Sequence, residues 1–299
     1  MFKKVCIIGC GLIGSSIARA IKKNNLASKV VSSNRSNNTN KKVIKLNIVD
    51  EASSDTKKIV KESDLIIIAT PLSSYKNVVL KIKSSLKNGA ILTDVGSVKK
   101  KVISLVEKNI PKNVSWISSH PIAGTEESGP ESGFSELFKN KWCILTPSKQ
   151  AKDQDVKLLE TFWKKLGSRV DIMDATQHDY ILSITSHMPH LIAYNIVNTT
   201  LKIKKKKDRD IVKYSAGGLR DFTRIAASNP IMWRDIFIQN RKNTSAIIDK
   251  FIENLKDLKK AIKKKDGKKL EKIFIKTKKI RKEIIKAGQD IGKPDFGRK

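Results

Sequence analysis

Six residues near the amino terminus, Gly9-Cys10-Gly11-Leu12-Ile13-Gly14, constrain this fold more than any other stretch of the chain. They lie between a β-branched run, Val5-Cys6-Ile7-Ile8, and a stretch of helical patterning over 15–21. A strand that feeds a glycine turn and then a helix presents free backbone N–H groups, and the positive end of the helix dipole, to an anion. In that arrangement Gly9 permits the tight turn, Gly11 lets backbone approach the phosphates, and Gly14 lets helix and strand pack closely. The segment therefore points to a dinucleotide pyrophosphate. Another nucleotide, or none, is what the glycine spacing by itself leaves open.

The first half of the chain continues this alternation. Strands are expected at 4–8, 29–33, 65–69, 90–94, 114–118 and 142–145, with helices at 15–23, 74–86 and 99–108. A helix at 153–166 and a last strand at 170–173 close the unit. Runs such as Leu65-Ile66-Ile67-Ile68 have no polar face, so their strands are covered on both sides, as in a parallel sheet flanked by helices. After Asp174 the β-branched islands stop and helical patterning takes over at 175–197, 211–214, 230–255 and 258–287, with a polar tail from Gly288. The expected architecture is α/β: an N-terminal Rossmann-type, doubly wound, mostly parallel sheet over 1–173, then an all-helical domain over 174–299. Apolar stripes on those helices exceed what a small domain buries, which points to a homodimer.

The net charge of +32 comes mainly from dispersed lysine. A nucleic-acid surface favours arginine, interleaved aromatics and a localised patch, so nucleic-acid binding is not expected. The densest runs, 202–207 and 263–269, have the look of a loop and a solvated helix junction. Anionic small molecules suit the positive field equally well. Cys6, Cys10 and Cys143 offer neither a disulfide framework nor zinc spacing, which suggests a reducing cytoplasm. The apolar run before Cys10 is too short for a signal segment, which needs about 7–15 residues. No stretch approaches the ~20 apolar residues of a membrane span.

Several motifs fall at expected strand ends. Ser97, in Asp94-Val95-Gly96-Ser97-Val98-Lys99, is suited either to the nicotinamide end of a cofactor and the substrate or to capping the next helix. His120 opens His120-Pro121-Ile122-Ala123-Gly124-Thr125-Glu126 on the same sheet edge as the glycine turn, where it can take a proton near neutral pH. His178-Asp179 and Ser186-His187-Met188-Pro189-His190 follow; Ser186 and His190 share a helix face if Pro189 is accommodated as a kink. Their spacing is poor for a metal, and none is expected. Arg220 and Arg224, four residues apart, suit a carboxylate, or else pair internally with Asp221 or Asp235; Trp233 is expected to be partly core. The adenosine end lies at Ser32-Ser33-Asn34-Arg35-Ser36. There Asn34 occupies the place, about 20 residues past the glycines, where NAD-binding domains carry an acid. An uncharged Asn34 beside Arg35 and Ser36 leans towards NADP or dual use; the alternative is NAD, with Asn34 on the ribose hydroxyl and Arg35 stacked on adenine. Thr70 and Pro71 complete the expected cofactor contacts.

Taken in order, Gly9–Ser15, 94–99, 120–133, 178–190 and 217–233 resemble the prephenate and arogenate (cyclohexadienyl) dehydrogenases over almost the whole chain. The resemblance implies a Rossmann domain, a helical dimerisation domain and an active site between them. It implies that His120 hydrogen-bonds the ring hydroxyl of prephenate or arogenate, assisted by Ser97, and that Thr125 and Glu126 shape the pocket. Ser186, His190, Arg220 and Arg224 would line the substrate site, Arg224 as main carboxylate anchor and Trp233 as its buttress. It further implies hydride transfer from the hydroxyl-bearing carbon to NAD(P), with loss of the ring carboxylate as carbon dioxide. No βαββαβ regulatory module is expected after the helices. Two other readings are a β-hydroxyacid-type dehydrogenase, which usually relies on a lysine in the helical domain, and a non-catalytic basic nucleotide-binding protein.

Overall fold

A computed structural model describes residues 1–203 and 213–288. The expected helix at 211–214, the run 202–207 and the tail from Gly288 fall wholly or partly outside them. Eight strands, β1 (Phe2–Ile8), β2 (Ala27–Ser33), β3 (Glu51–Ser53), β4 (Leu65–Ile68), β5 (Ile91–Asp94), β6 (Ser115–Pro121), β7 (Trp142–Pro147) and β8 (Arg169–Ile172), form one sheet. Their order is β3-β2-β1-β4-β5-β6-β7-β8, parallel except where β7 runs against β6. The chain reverses its direction of growth between β1 and β4, and open α/β sheets take ligands at the carboxyl edge of such a switch point.

Side-chain alternation along the strands divides the core in two. Val5 and Ile7 of β1 and Leu65 and Ile67 of β4 face one side, with Ile17 and Ile21 of α1 (Leu12–Lys23) and Phe162 and Trp163. Cys6, Ile8, Ile66 and Ile68 face the other, with Tyr75, Val79 and Ile82 and with Trp116. The four residues of β4 are wholly buried, and burial of each such side chain is worth about 1.5–3 kcal/mol.

Five further helices flank the sheet: α2 (Asn37–Lys45), α3 (Thr56–Val60), α4 (Tyr75–Ile82), α5 (Lys100–Glu107) and α6 (Asp153–Lys165). The second unit contains α7 (Ala175–Leu182), α8 (Met188–Ile203), α9 (Gly217–Ala226), α10 (Pro230–Gln239), α11 (Arg241–Lys263) and α12 (Gly267–Lys286). The sequence reading missed β3, α2 and α3. Only Asn40 and Val43 of α2 are buried, so the helix carries little apolar signal. The expected helix 74–86 ends at Ile82 and passes into a 3-10 turn, Lys83–Ser85. The expected helix 230–255 is broken at Asn240, and 258–287 is broken at 264–266, with Asp266 capping α12 through Lys269 N.

Pro189 does not break its helix. A π-helical turn, Ser183–His187, widens the spiral just before it, relieving the clash between the proline ring and the carbonyl four residues earlier. The two units meet where Val98, Trp233 and Ile236 pack with Leu72, Tyr194 and Phe237, and where Ser73 N donates to Asp235 Oδ2 at 3.1 Å.

Candidate active site

The glycine turn is built as its spacing requires. Gly9 has φ +97°, and a Cβ there would stand 2.8 Å from the Ala69 carbonyl oxygen. A Cβ on Gly14 would drive into the carbonyl oxygen of Gly9. Gly11 differs: it caps α1, and a Cβ on it would meet nothing within 4 Å. No neighbour in the protein demands glycine at this position. Gly11 directly precedes the first-turn amides of Leu12 and Ile13, which have no preceding carbonyl to bond, and no acidic residue occupies that turn. The cradle fits a pyrophosphate.

At the adenosine end the Asn34 side chain faces inward. Its Oδ1 accepts from Cys10 N at 2.6 Å, and its Nδ2 donates to Asn40 Oδ1 at 2.9 Å and Ser32 Oγ at 3.2 Å. Asn34 thus clamps the glycine turn, while Arg35 and Ser36 are exposed beside it. Thr70 Oγ1 accepts from Ser74 Oγ at 2.8 Å, and Pro71 caps the short turn that follows β4.

Beneath the carboxyl ends of β5 and β6 lies a buried ion pair. Lys99 Nζ donates to Asp94 Oδ2 at 2.8 Å, Ser118 Oγ at 3.0 Å and the Ser119 carbonyl at 2.7 Å, with both side chains fully buried. Asp94 also accepts from Gly96 N, Tyr75 OH and Ser119 N. Burial lowers the Lys99 pKa, opposed by Asp94. Every donor and acceptor in this pair is used, as a buried charge requires. The effect is to tie the 94–99 loop, with half-exposed Ser97, to β6 and His120.

His120, 7% exposed, is the last residue but one of β6, and its Nδ1 is 2.9 Å from His178 Nε2. His178 Nδ1 is 2.9 Å from Asp179 Oδ1. Asp179 then crosses between the units: Oδ1 accepts from Lys99 N at 2.8 Å and Oδ2 from Lys100 N at 3.1 Å. The cap of α5 is therefore Asp179 of α7, which corrects the capping alternative for Ser97. Burial, then the nearby His178 and Lys99, hold the His120 pKa well below that of free imidazole. Burial also lowers His178, opposed by Asp179. His187 is fully buried; Asn240 Nδ2 bridges its Nδ1 at 3.2 Å and the Asp179 carbonyl at 2.8 Å. That use of Asn240 accounts for the break between α10 and α11. The His187 ring lies beside the Ser97 backbone, yet its Nε2 has no partner of hydrogen-bond geometry, and burial brings its pKa down to about 4.

A second cluster lies further into the helical unit. His190 stacks on Trp233 with ring centroids 3.8 Å apart, and its Nδ1 is 2.9 Å from the Ser186 carbonyl oxygen. Trp233 is 5% exposed and meets His187 edge-on at 6.2 Å, joining this cluster to the first. Arg224 is close enough to depress the His190 pKa further, after burial. Arg220 and Arg224 are exposed on α9. Among the described residues neither forms an ion pair, and Asp235 is taken instead by Arg234 at 2.7 Å. Thr125 and Glu126 lie exposed in the loop after β6, where Thr125 Oγ1 accepts from Glu127 N. No hydrogen bond or ion pair among the described residues joins those two to the histidines or to Arg224. The same loop is pinned over α1, with Phe134 N donating to Ser16 Oγ at 3.1 Å.

The sequence reading weighed His178-Asp179 only as metal ligands. Among the described residues no group of three His, Cys, Asp or Glu side chains is arranged to hold a metal ion. The available signal was an adjacent His-Asp pair opening the first helix after the last strand, where the new unit must dock on the old one.

A dinucleotide cradle and buried His120 on one unit, with His178, His187 and the exposed arginines on the other, are the arrangement of a two-domain nicotinamide-dependent dehydrogenase. Comparison with known proteins narrows the class. Residues 17–172 match the family model for the prephenate dehydrogenase nucleotide-binding domain, and 174–276 match that for the prephenate dehydrogenase dimerization domain. The chain belongs to the prephenate dehydrogenase family. It is 38% identical to the cyclohexadienyl dehydrogenase of Zymomonas mobilis over 97% of this chain and 99% of that protein. It is 31% identical to the prephenate dehydrogenase of Bacillus subtilis over 90% of this chain and 73% of that one. The crystal structure of A. aeolicus prephenate dehydrogenase with hydroxyphenyl propionate and NAD+ superposes with a TM-score of 0.88 at 32% identity, covering 95% and 99% of the two chains.

Proposed function

We infer that this chain catalyses the NAD(P)-dependent oxidative decarboxylation of prephenate to 4-hydroxyphenylpyruvate, or of arogenate to tyrosine. The observation that carries this reading is His120: a buried, neutral imidazole at the carboxyl edge of the sheet that also bears the glycine cradle. A neutral imidazole accepts a proton; a protonated one does not. A nicotinamide dinucleotide, when bound, supplies the hydride acceptor. Leu12 and Ile13 would hold its pyrophosphate on their amides, with Gly9, Gly11 and Gly14 giving the space. Thr70 and Pro71 flank the cradle.

His120 takes the hydrogen bond from the ring hydroxyl as carbonyl character grows on that carbon, and Ser97 assists as the family resemblance implies. Arg224 binds the substrate carboxylate, with Arg220 in support. Trp233 fixes His190 by stacking, and His190 with Ser186 lines that end. Thr125 and Glu126 border the opening. Arg35 and Ser36, exposed while Asn34 is turned inward, favour a 2′-phosphate and hence NADP or dual use.

We place the division between units at 173/174, supported by the end of β8 at Ile172 and the capping of α7 by Asp174. We also propose a homodimer through the helical unit. No residue of α12 is buried in one chain, and its Phe274, Ile275 and Ile280 are 56%, 54% and 53% exposed. Light scattering at the 33.5 kDa monomer mass would refute the dimer. Three free, buried cysteines suit the cytoplasm; among the described residues no helix is long and apolar enough to cross a membrane.

The test is absorbance of reduced nicotinamide with prephenate, arogenate and a β-hydroxyacid panel, on wild type and His120→Asn. Turnover of the cyclohexadienyl substrates, lost by about 10²–10⁴-fold in the variant, is expected. Wild-type turnover in folded His120→Asn, or turnover of hydroxyacids alone, overturns the reading.

A further inference from the structure

The mechanism above uses His120 and leaves two buried groups behind it unemployed. We propose that Asp179 and His178 form a positioning relay that fixes His120 with its Nε2 bare towards the substrate hydroxyl and accepts the His120 Nδ1 proton as Nε2 is protonated. This rests on the reading of His120 as hydroxyl acceptor.

Elimination along the chain of contacts fixes each proton. Asp179 accepts from the amides of Lys99 and Lys100 through both of its oxygens, and it acts towards its neighbours as an acceptor. The 2.9 Å contact with His178 Nδ1 therefore needs the proton on Nδ1. Neutral His178 then has a bare Nε2, and the 2.9 Å contact with His120 Nδ1 needs the proton on His120. Neutral His120 is left with Nε2 as an acceptor. The opposite tautomer would set N–H against N–H, or leave a buried carboxylate facing a lone pair.

The relay also chooses where positive charge rests. The groups facing His120 are His178, His187 and Lys99, all able to carry positive charge, and the Cys143 thiol, whose pKa burial raises. An imidazolium held at His120 would be poorly placed. His178 faces Lys99 too, but also the carboxylates of Asp179 and Asp94. As the substrate O–H bond breaks, an N–H bond forms at His120 Nε2. The His120 Nδ1–H bond breaks, an N–H bond forms at His178 Nε2, and the imidazolium lies against Asp179. The O–H electron pair becomes the second bond of the carbonyl as the hydride leaves that carbon, for which a bound nicotinamide would be the acceptor. When carbon dioxide leaves, the pair of the broken C–C bond makes the ring aromatic and the carbonyl pair passes to the same oxygen, and the proton returns by the same path to give the phenol. Proton and charge balance, and no other reactant is needed. Asp179 belongs to the helical unit and its two amide donors to the dinucleotide unit, so the relay exists only while the units are docked.

Two measurements test it. In wild type labelled with ¹⁵N-histidine, His120 should show the Nδ1–H tautomer; finding Nε2–H overturns the relay without any variant. Asp179→Asn retains an oxygen to cap α5 but can donate through its amide to His178 Nδ1, turning both tautomers over. A folded Asp179→Asn and a folded His178→Gln should keep cofactor affinity and substrate KM, with plateau kcat down at least ~10-fold. The acid limb of kcat/KM should move to lower pH in Asp179→Asn, because the imidazolium loses its carboxylate. Wild-type kcat and pH profile in both variants overturns the proposal. His120→Asn alongside keeps the failures apart: unchanged turnover there removes the hydroxyl-acceptor reading, whatever tautomer His120 shows in the wild type.

Discussion

Gly11→Ala and Gly14→Ala separate the two duties of the glycine turn, because the structure gives them opposite costs. Gly11 has φ −80°, open to any residue, and its added Cβ meets nothing within 4 Å. Alanine there restricts the unfolded chain, a gain of about 0.4–1 kcal/mol. It is also a poorer helix cap than glycine, a loss of roughly 0.5–1 kcal/mol. The two nearly cancel, so the denaturation midpoint should barely move. The methyl nevertheless stands where backbone approaches the phosphates in a glycine turn of this spacing, and dinucleotide Kd should rise at least ~10-fold, equivalent to about 1.4 kcal/mol. Gly14→Ala presses on the Gly9 carbonyl oxygen and stands 3.2 Å from Ile7 Cγ2. A backbone atom cannot rotate away, so α1 must lift from β1, at about 1–3 kcal/mol. Urea denaturation with calorimetric titration of NAD+ and NADP+ measures both. Wild-type affinity in Gly11→Ala, or a loss of stability equal to that in Gly14→Ala, would refute the assignment of Gly11 to the phosphates.

Arg224→Ala should raise substrate KM by roughly 10–100-fold, since a charge-assisted hydrogen bond is worth about 1.5–3 kcal/mol; steady-state kinetics that leave KM unchanged would move the carboxylate anchor to Arg220. Arg35→Ala should lower kcat/KM for NADP+ far more than for NAD+, and a strong NAD+ preference that survives the substitution would sink the NADP reading. His187 resists protonation down to about 4, against 6.5 for a free histidine side chain. An unfolded chain therefore takes up that proton first, and stability is full above pH ~6.5 and falls towards pH 4, by roughly 3 kcal/mol at the low end. Calorimetric melting between pH 7 and 5 should show this fall, with a smaller one in His187→Gln; a pH-independent Tm would contradict it.

The parts of this protein legible in its sequence are those whose signal is local. Leu65-Ile66-Ile67-Ile68 can only be a strand covered on both faces, and it lies wholly buried beside β1. Gly9 and Gly14 are forced by backbone geometry within one turn. Elements held by the rest of the molecule are not visible in this way. α2 buries two side chains, and three-residue β3 is defined by its pairing with β2. The breaks at Asn240 and around Pro189 are also set from outside. Asn240 is drawn to His187 and the Asp179 carbonyl, while the π-helical turn absorbs a proline that periodicity alone reads as a kink.

The candidate site divides along the same line. His120 stands out because it lies just past the expected strand 114–118 on the ligand-binding edge, and the observed strand extends through it to Pro121. Its partners do not stand out, since His178 and Asp179 are 58 and 59 residues further on and acquire meaning only when α7 docks against α5. The motif Asp94-Val95-Gly96-Ser97-Val98-Lys99 draws attention to its serine, yet the fold spends its most heavily bonded groups on the residues at either end. Asp94 and Lys99 form a buried pair whose separation would leave an uncompensated charge, at about 3–5 kcal/mol. That pair ties β5 to β6 beneath His120, and the Lys99 amide receives Asp179 from the other unit. One lysine thus supports the floor of the histidine cluster through its side chain and the docking of the two units through its backbone. The same short loop thus joins the histidine cluster to the sheet edge and to the helical unit.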